Sequence, residues 1–193
     1  MTTIRLPAAL SRLAFAVLDV EGNGRRPPEI VEIAVLHLSG TLPVTPAQMR
    51  SWLVRPTRPI TSIVTAKAHG ITNIDVAHSP AWQDVAPQVS VGVEGRILVA
   101  HNAAVERQIL ADHIPDLWVP TIIDTMRLAK AMWPGLDRYG LDALIAHAGI
   151  TPPSGGPGWR RHRAAYDTWA TAALFVQLAA GQEWAQIRDA GQI

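Results

Sequence analysis

Six consecutive positions, Leu13-Ala14-Phe15-Ala16-Val17-Leu18, carry no polar side chain, and the run stops at Asp19. An apolar stretch of this length without alternation predicts a strand buried on both faces. Gly22-Asn23-Gly24 and Pro27-Pro28 then punctuate the chain as turns. Ile30 to Leu38 reads as a second strand and Ser51 to Val54 as a short third, and their brief connections predict an antiparallel meander. Beyond them the period changes. Ala81 to Val93 reads as a helix that Pro87 kinks or divides. Ile97 to Ala100 is a short buried strand ending at His101, and Ala104 to Asp112 a helix with Ile109 and Leu110 facing inward. Ile122-Ile123 leads into Asp124, which suits a helix N-terminus. Met126 to Trp133, Leu141 to Ala148 and the alanine-rich Ala164 to Ala179 complete the helices. Strands first and strand–helix alternation afterwards predict an α/β sheet with helices on its faces.

Composition narrows the chemistry more than the fold. A chain of 193 residues, 48% hydrophobic and 17% charged, is a folded domain of ordinary size, read as one unit over residues 1–193. Cysteine is absent, which excludes disulfides and thiolate metal sites and fits a reducing cytoplasm. Any metal is therefore held by oxygen or imidazole, favouring hard cations such as Mg²⁺ or Mn²⁺. No apolar stretch approaches the roughly 20 residues that span a bilayer, so no membrane partner is expected. Met1 to Leu18 has Arg5, Arg12 and no acid, as a targeting peptide would, but Arg12 interrupts its apolar part, and it reads as the start of the fold.

A net charge of +1 selects no partner class, but Arg160, Arg161 and Arg163 crowd around His162, and the guanidinium fork suits phosphate. Of the seven tryptophans, Trp52, Trp118, Trp133, Trp169 and Trp184 read as packing, and Trp159 alone as a candidate for meeting substrate. The Pro/Gly-rich stretch from Thr151 to Gly158 reads as part of a mobile loop over residues 151–161.

The acidic residues carry the chemistry. Asp19 and Glu21 end one buried strand, Glu106 lies in the helix after another, and His162 stands five positions before Asp167. Carboxylates beside hydrophobic strands are costly unless something compensates their charge. Divalent cations shared between separate elements would do so, and the carboxyl ends of central strands are where α/β sheets build sites.

With these residues in place, the chain resembles the DEDDh 3′–5′ exonucleases, the DnaQ-like branch of the ribonuclease H-like fold. Phe15-Ala16-Val17-Leu18-Asp19-Val20-Glu21-Gly22, Ile97 to Ala104 and His162-Arg-Ala-Ala-Tyr166-Asp167 are similar to the three motifs of that family. Weaker similarities include Glu29 to Ala34, Ala68 to Thr72 and Tyr139 to Leu144. The resemblance implies a mixed five-stranded sheet flanked by helices on both faces, and a hydrolase releasing nucleoside 5′-monophosphates from 3′ ends. It implies two Mg²⁺ or Mn²⁺ ions held by Asp19, Glu21, Glu106 and Asp167, with neutral His162 taking the proton of the attacking water. Glu106 stands where the family has Asp. Gly22 and Asn23, through backbone amides, His69, Ile71, His101, Asn102 and Arg160 become candidates for substrate contact. The partner is a single-stranded or frayed 3′ end of DNA or RNA, with a homodimer or polymerase association left open. The lengthened Glu106 keeps a catalytically weakened end-binding module as an alternative, and the same metal chemistry admits a phosphodiesterase for short dinucleotides.

Overall fold

Alternation along the first strand decides the whole layout. In β1 (Ala14–Gly22), Phe15 and Val17 face one core, and Ala16, Leu18 and Val20 face the other. A central strand clothed on both sides has no polar position to spare, which explains the unbroken apolar run. The computed structural model describes residues 3–40, 43–156 and 158–193. β2 (Ile30–Ser39) pairs antiparallel with β1, and β3 (Arg50–Leu53) antiparallel with β2. β4 (Ile97–Ala100) pairs parallel with β1, and β5 (Ile122–Asp124) parallel with β4. The result is a mixed five-stranded sheet of order β3-β2-β1-β4-β5, as expected.

Among the described residues, seven α-helices cover it. They are α1 (Ser62–Lys67), α2 (Trp82–Val93), α3 (Ala104–His113), α4 (Thr125–Met132), α5 (Leu141–His147), α6 (Ala164–Leu178) and α7 (Trp184–Gly191). Val85, Val89 and Val93 of α2 and Ile109 and Leu110 of α3 pack on the Leu18 face. α4, α5, α6 and α7 supply the opposite core around Phe15. α6 is buried on every side from Thr168 to Phe175, because the sheet lies on one flank and α4 and α5 on the other. Its small residues Ala170, Ala172 and Ala173 allow close approach, while Trp169 and Phe175 fill the volume.

Several expectations change. α2 runs unbroken through Pro87, its valine face anchored on the sheet. α1 and α7 have no counterpart in the pattern reading. α7 carries a signal nonetheless, since the Gln186 amide oxygen accepts the Glu183 N–H at 2.8 Å, a helix-start signature. Trp118 is exposed rather than packed. Ile4, Leu6 and Leu10 are buried, so this part of the Met1–Leu18 segment belongs to the core, while residues 1 and 2 lie outside the described residues. Pro157 of the 151–161 loop also lies outside them. Among the described residues, no helix is long and apolar enough to cross a membrane.

Candidate active site

Asp19 and Glu21 lie two apart on β1, so both project to the side of Phe15 and Val17, where α6 packs. One turn into α6, Asp167 meets them. Oxygen atoms of Asp19, Glu21 and Asp167 all lie within 4.8 Å of one another. Three acids from two elements thus form one hard-donor cluster that could hold a divalent cation.

The electrostatics express the cost of that convergence. Burial, then the neighbouring Asp167, Glu106, Glu21 and Glu32 carboxylates, hold the Asp19 carboxyl well above its usual range. Burial, followed by Asp167 and Glu32, pushes Glu21 up to about 8, against a lowering by Arg163. Asp167 rises to about 6 through burial, opposed by the His162 N–H and Arg161. Without a cation, burial and mutual repulsion disfavour ionisation of all three carboxyls, Glu21 more than Asp167.

Glu106 is placed differently. It is 6% exposed on α3 and outside the 4.8 Å group, and burial pushes it up to about 8. Its Oε2 is buried without a hydrogen-bond partner. An orphaned buried carboxylate oxygen is costly in water-excluded surroundings and suits a cation ligand.

The supporting segments use unusual backbone. Asn102, between β4 and α3, has φ 59°, and His162, before α6, has φ 57°. For residues other than glycine this left-handed conformation persists only where its surroundings enforce it. Asp124 does so at Asn102: its Oδ1 accepts the Asn102 N–H at 3.0 Å and the Met126 N–H at 2.8 Å. Asp124 is thus the N-cap of α4, as expected, and also a brace for the second motif. At His162, Asp167 Oδ2 accepts the backbone N–H at 3.0 Å. His162, Asp19, Asp167, His101 and Asn102 line one cleft of about 330 Å³.

Two candidate substrate contacts are spent inside the protein. Asn23 is fully buried. Its backbone N–H already donates to the Glu29 carbonyl at 2.9 Å, and its side chain binds the Arg25 and Glu29 amides. The expected approach of that amide to a 3′-hydroxyl is therefore corrected: Asn23 shapes the turn. His69 is likewise buried, its Nδ1 accepting the Ile71 N–H at 3.0 Å and its Nε2 lying 3.1 Å from the Gly22 carbonyl. Ile71 borders a neighbouring cavity of about 320 Å³ with Gly70 and Arg163.

The arginine cluster is also redistributed. Arg160 donates to the His69 carbonyl at 2.7 Å, Arg161 pairs with Asp142, and Arg163 with Glu32. Arg163 is therefore no phosphate fork but half of a buried ion pair. Trp159 Nε1 donates to the Pro153 carbonyl at 2.9 Å, and its ring packs edge-on against Tyr166. The sequence reading missed Glu32, although one acid amid Ile30-Val31-Ile33-Ala34-Val35-Leu36 is a visible anomaly.

The RNase T exonuclease family matches residues 16–175 of this chain. Exodeoxyribonuclease 10 of Escherichia coli K12 is 38% identical over 168 residues, covering 87% of this chain and 70% of the relative. The chain belongs to the DEDDh, DnaQ-like exonucleases. A DNA polymerase III subunit epsilon-like protein of Rhodobacter capsulatus is 35% identical to this exonuclease over 175 residues. The match takes in 88% of this chain but only 24% of that relative's length. Among solved structures, Exonuclease X in complex with 5′-overhanging duplex DNA aligns at TM-score 0.74 and 34% identity. The alignment covers 91% of this exonuclease and 98% of that chain. An Exonuclease I structure at TM-score 0.67 and 18% identity, covering 92% of this chain and 42% of the other, shares the fold.

Proposed function

We propose that this exonuclease removes nucleotides from 3′ ends of DNA, releasing 5′-monophosphates. The observation that carries the reading is the convergence of Asp19, Glu21 and Asp167 within 4.8 Å, on a cleft that His162 also lines. Asp19, Glu21 and Asp167 would hold one divalent cation, and Glu106 would help to hold a second. Such ions supply Lewis-acid activation and neutralise charge developing on the phosphate. His162 accepts a proton from the attacking water in its neutral form. Its place at the start of α6 keeps the imidazole at the cleft while the backbone N–H steadies Asp167. The exposed Asn102, together with His101, Gly22, Ile71 and Arg160, borders the path of the terminal nucleotides. DNA is favoured because the aligned Exonuclease X was solved on a 5′-overhanging duplex and is covered over nearly its full length.

The test is degradation of 5′-labelled single-stranded, 5′-overhanging and RNA substrates in Mg²⁺, Mn²⁺ and EDTA. The expected result is a metal-dependent ladder shortening from the 3′ end, faster on DNA. End binding without cleavage in either metal would defeat the proposal.

A further inference from the structure

Glu32 is a buried acid beside three others, and its chemistry is directed away from them. It pairs across the β1–β2 ladder with Glu21. Both carboxylate oxygens are occupied: Oε2 accepts Arg163 Nε at 2.9 Å and the Ala164 N–H at 2.9 Å, and Oε1 accepts Arg163 Nη2 at 2.7 Å. Glu32 is 5% exposed, and the Arg163 side chain 20%. A fork of this kind fixes position and orientation together, which a single point charge does not.

What it fixes is the start of α6. Arg163 is the N-cap residue and Ala164 the first helical residue, so Glu32 grips two consecutive positions. His162, with its left-handed φ of 57°, immediately precedes them. Asp167 follows by one turn, its N–H donating to the Arg163 carbonyl at 3.0 Å. The strand neighbour of Glu21 therefore holds the segment that delivers Asp167 to Glu21. A short chain of contacts runs from Glu21 across to Glu32, then to Arg163, then to Asp167.

We propose that the Glu32–Arg163 pair is a positioning device that fixes the His162–Asp167 turn against Asp19 and Glu21 and thereby sets the affinity of the site for divalent cation. This rests on the reading that Asp19, Glu21 and Asp167 hold such a cation. Neither Glu32 nor Arg163 is assigned contact with the ion or the substrate.

The decisive variant is Arg163→Lys, which keeps the positive charge near Glu21 and removes the fork. Mn²⁺ is titrated calorimetrically into the full-length protein without nucleic acid, beside thermal unfolding in EDTA. The expected result is Mn²⁺ affinity weakened about 10- to 100-fold, the range typical when the supports of metal ligands are removed. The Mn²⁺ concentration for half-maximal cleavage should shift likewise, with KM for DNA at saturating Mn²⁺ moving far less. Reversible partial unfolding weakens apparent affinity only in proportion to the folded fraction, so a variant that the EDTA melt shows about nine-tenths folded at the titration temperature loses only about 1.1-fold that way, and a merely structural role is told apart. Glu32→Gln, Arg163→Gln and the double variant Glu32→Gln/Arg163→Gln form a cycle, in which the double should be no weaker than the worse single. If a Glu32 variant does not fold, Arg163→Lys alone decides. Wild-type affinity in folded Arg163→Lys overturns the positioning role and leaves the cation reading standing. Absence of Mn²⁺ binding by the wild type overturns both.

Discussion

Replacing Glu106 by Gln tests whether burial of charge, rather than shape, is what this site stores. The substitution keeps the volume and removes the ionisation of a side chain that is 6% exposed and pushed from 4.5 to about 8, first by burial. A carboxyl whose folded-state pKa lies above its unfolded value leaves stability intact below 4.5 and withdraws it as pH climbs towards 8. At about 1.4 kcal/mol per pH unit, Glu106 alone withdraws about 3 kcal/mol by pH 7, reduced to roughly half by relaxation of its surroundings. For a chain of this size, that is a Tm gain of about 3–6 °C for Glu106→Gln in EDTA at pH 7. The gain should vanish at pH 4.5, where the wild-type carboxyl is also neutral. Thermal unfolding of both proteins from pH 4.5 to 8, with and without Mg²⁺, measures it. Metal should raise the wild-type Tm more than that of the variant, because the ion binds the charged form. A variant less stable than wild type at pH 7 in EDTA, or a Tm difference independent of pH, would refute the reasoning.

The other carboxylates make parallel claims. Asp19→Asn should abolish metal-dependent cleavage and raise the metal-free Tm at pH 8, because it removes a buried charge and its repulsion from Asp167, Glu106 and Glu21; a fall in Tm would mark Asp19 as structural. His162→Asn tolerates the left-handed backbone and removes the imidazole, so turnover should drop about 100- to 10,000-fold. Calorimetric Mn²⁺ binding should survive in that variant, and unchanged turnover would remove His162 from the chemistry. Asp124→Ala deletes a cap and the Asn102 brace at a cost of about 1–2 kcal/mol, read by urea unfolding. Asp124 braces Asn102 and caps α4 rather than gripping the segments that carry Asp19, Glu21 and Asp167, so half-saturating Mn²⁺ should change far less than the roughly 10- to 100-fold expected on losing a ligand support.

Much of the architecture is legible along the chain because its signals are local. The apolar run ending at Asp19, the short run ending at His101 and the alanine-rich stretch after His162 each report burial on their own. Asp124 is legible as a cap for the same reason, since its partner Met126 lies two residues away. α1 escaped notice because its six residues bury little and lean on the small cluster of Val31, Ile60 and Ile71. Pro87 misled because the anchoring that keeps α2 whole comes from the sheet, not from the helix.

The residue types of the site, and the order in which they occur, belong to the sequence itself: three motifs, hard oxygen donors and no thiol. Distance belongs to the tertiary structure. Asp167 lies 148 positions beyond Asp19, and only the packing of α6 across β1 and β2 brings their oxygens within 4.8 Å. The same packing turned Arg163 from a phosphate candidate into the partner of Glu32, 131 residues away, while Asn23 is held by its own turn and His69 by Gly22 and Ile71. Periodicity along a chain reports which side of an element is buried, because burial repeats with the element's own pitch. It carries no information on which buried polar group meets which, because those pairings depend on how separate elements dock.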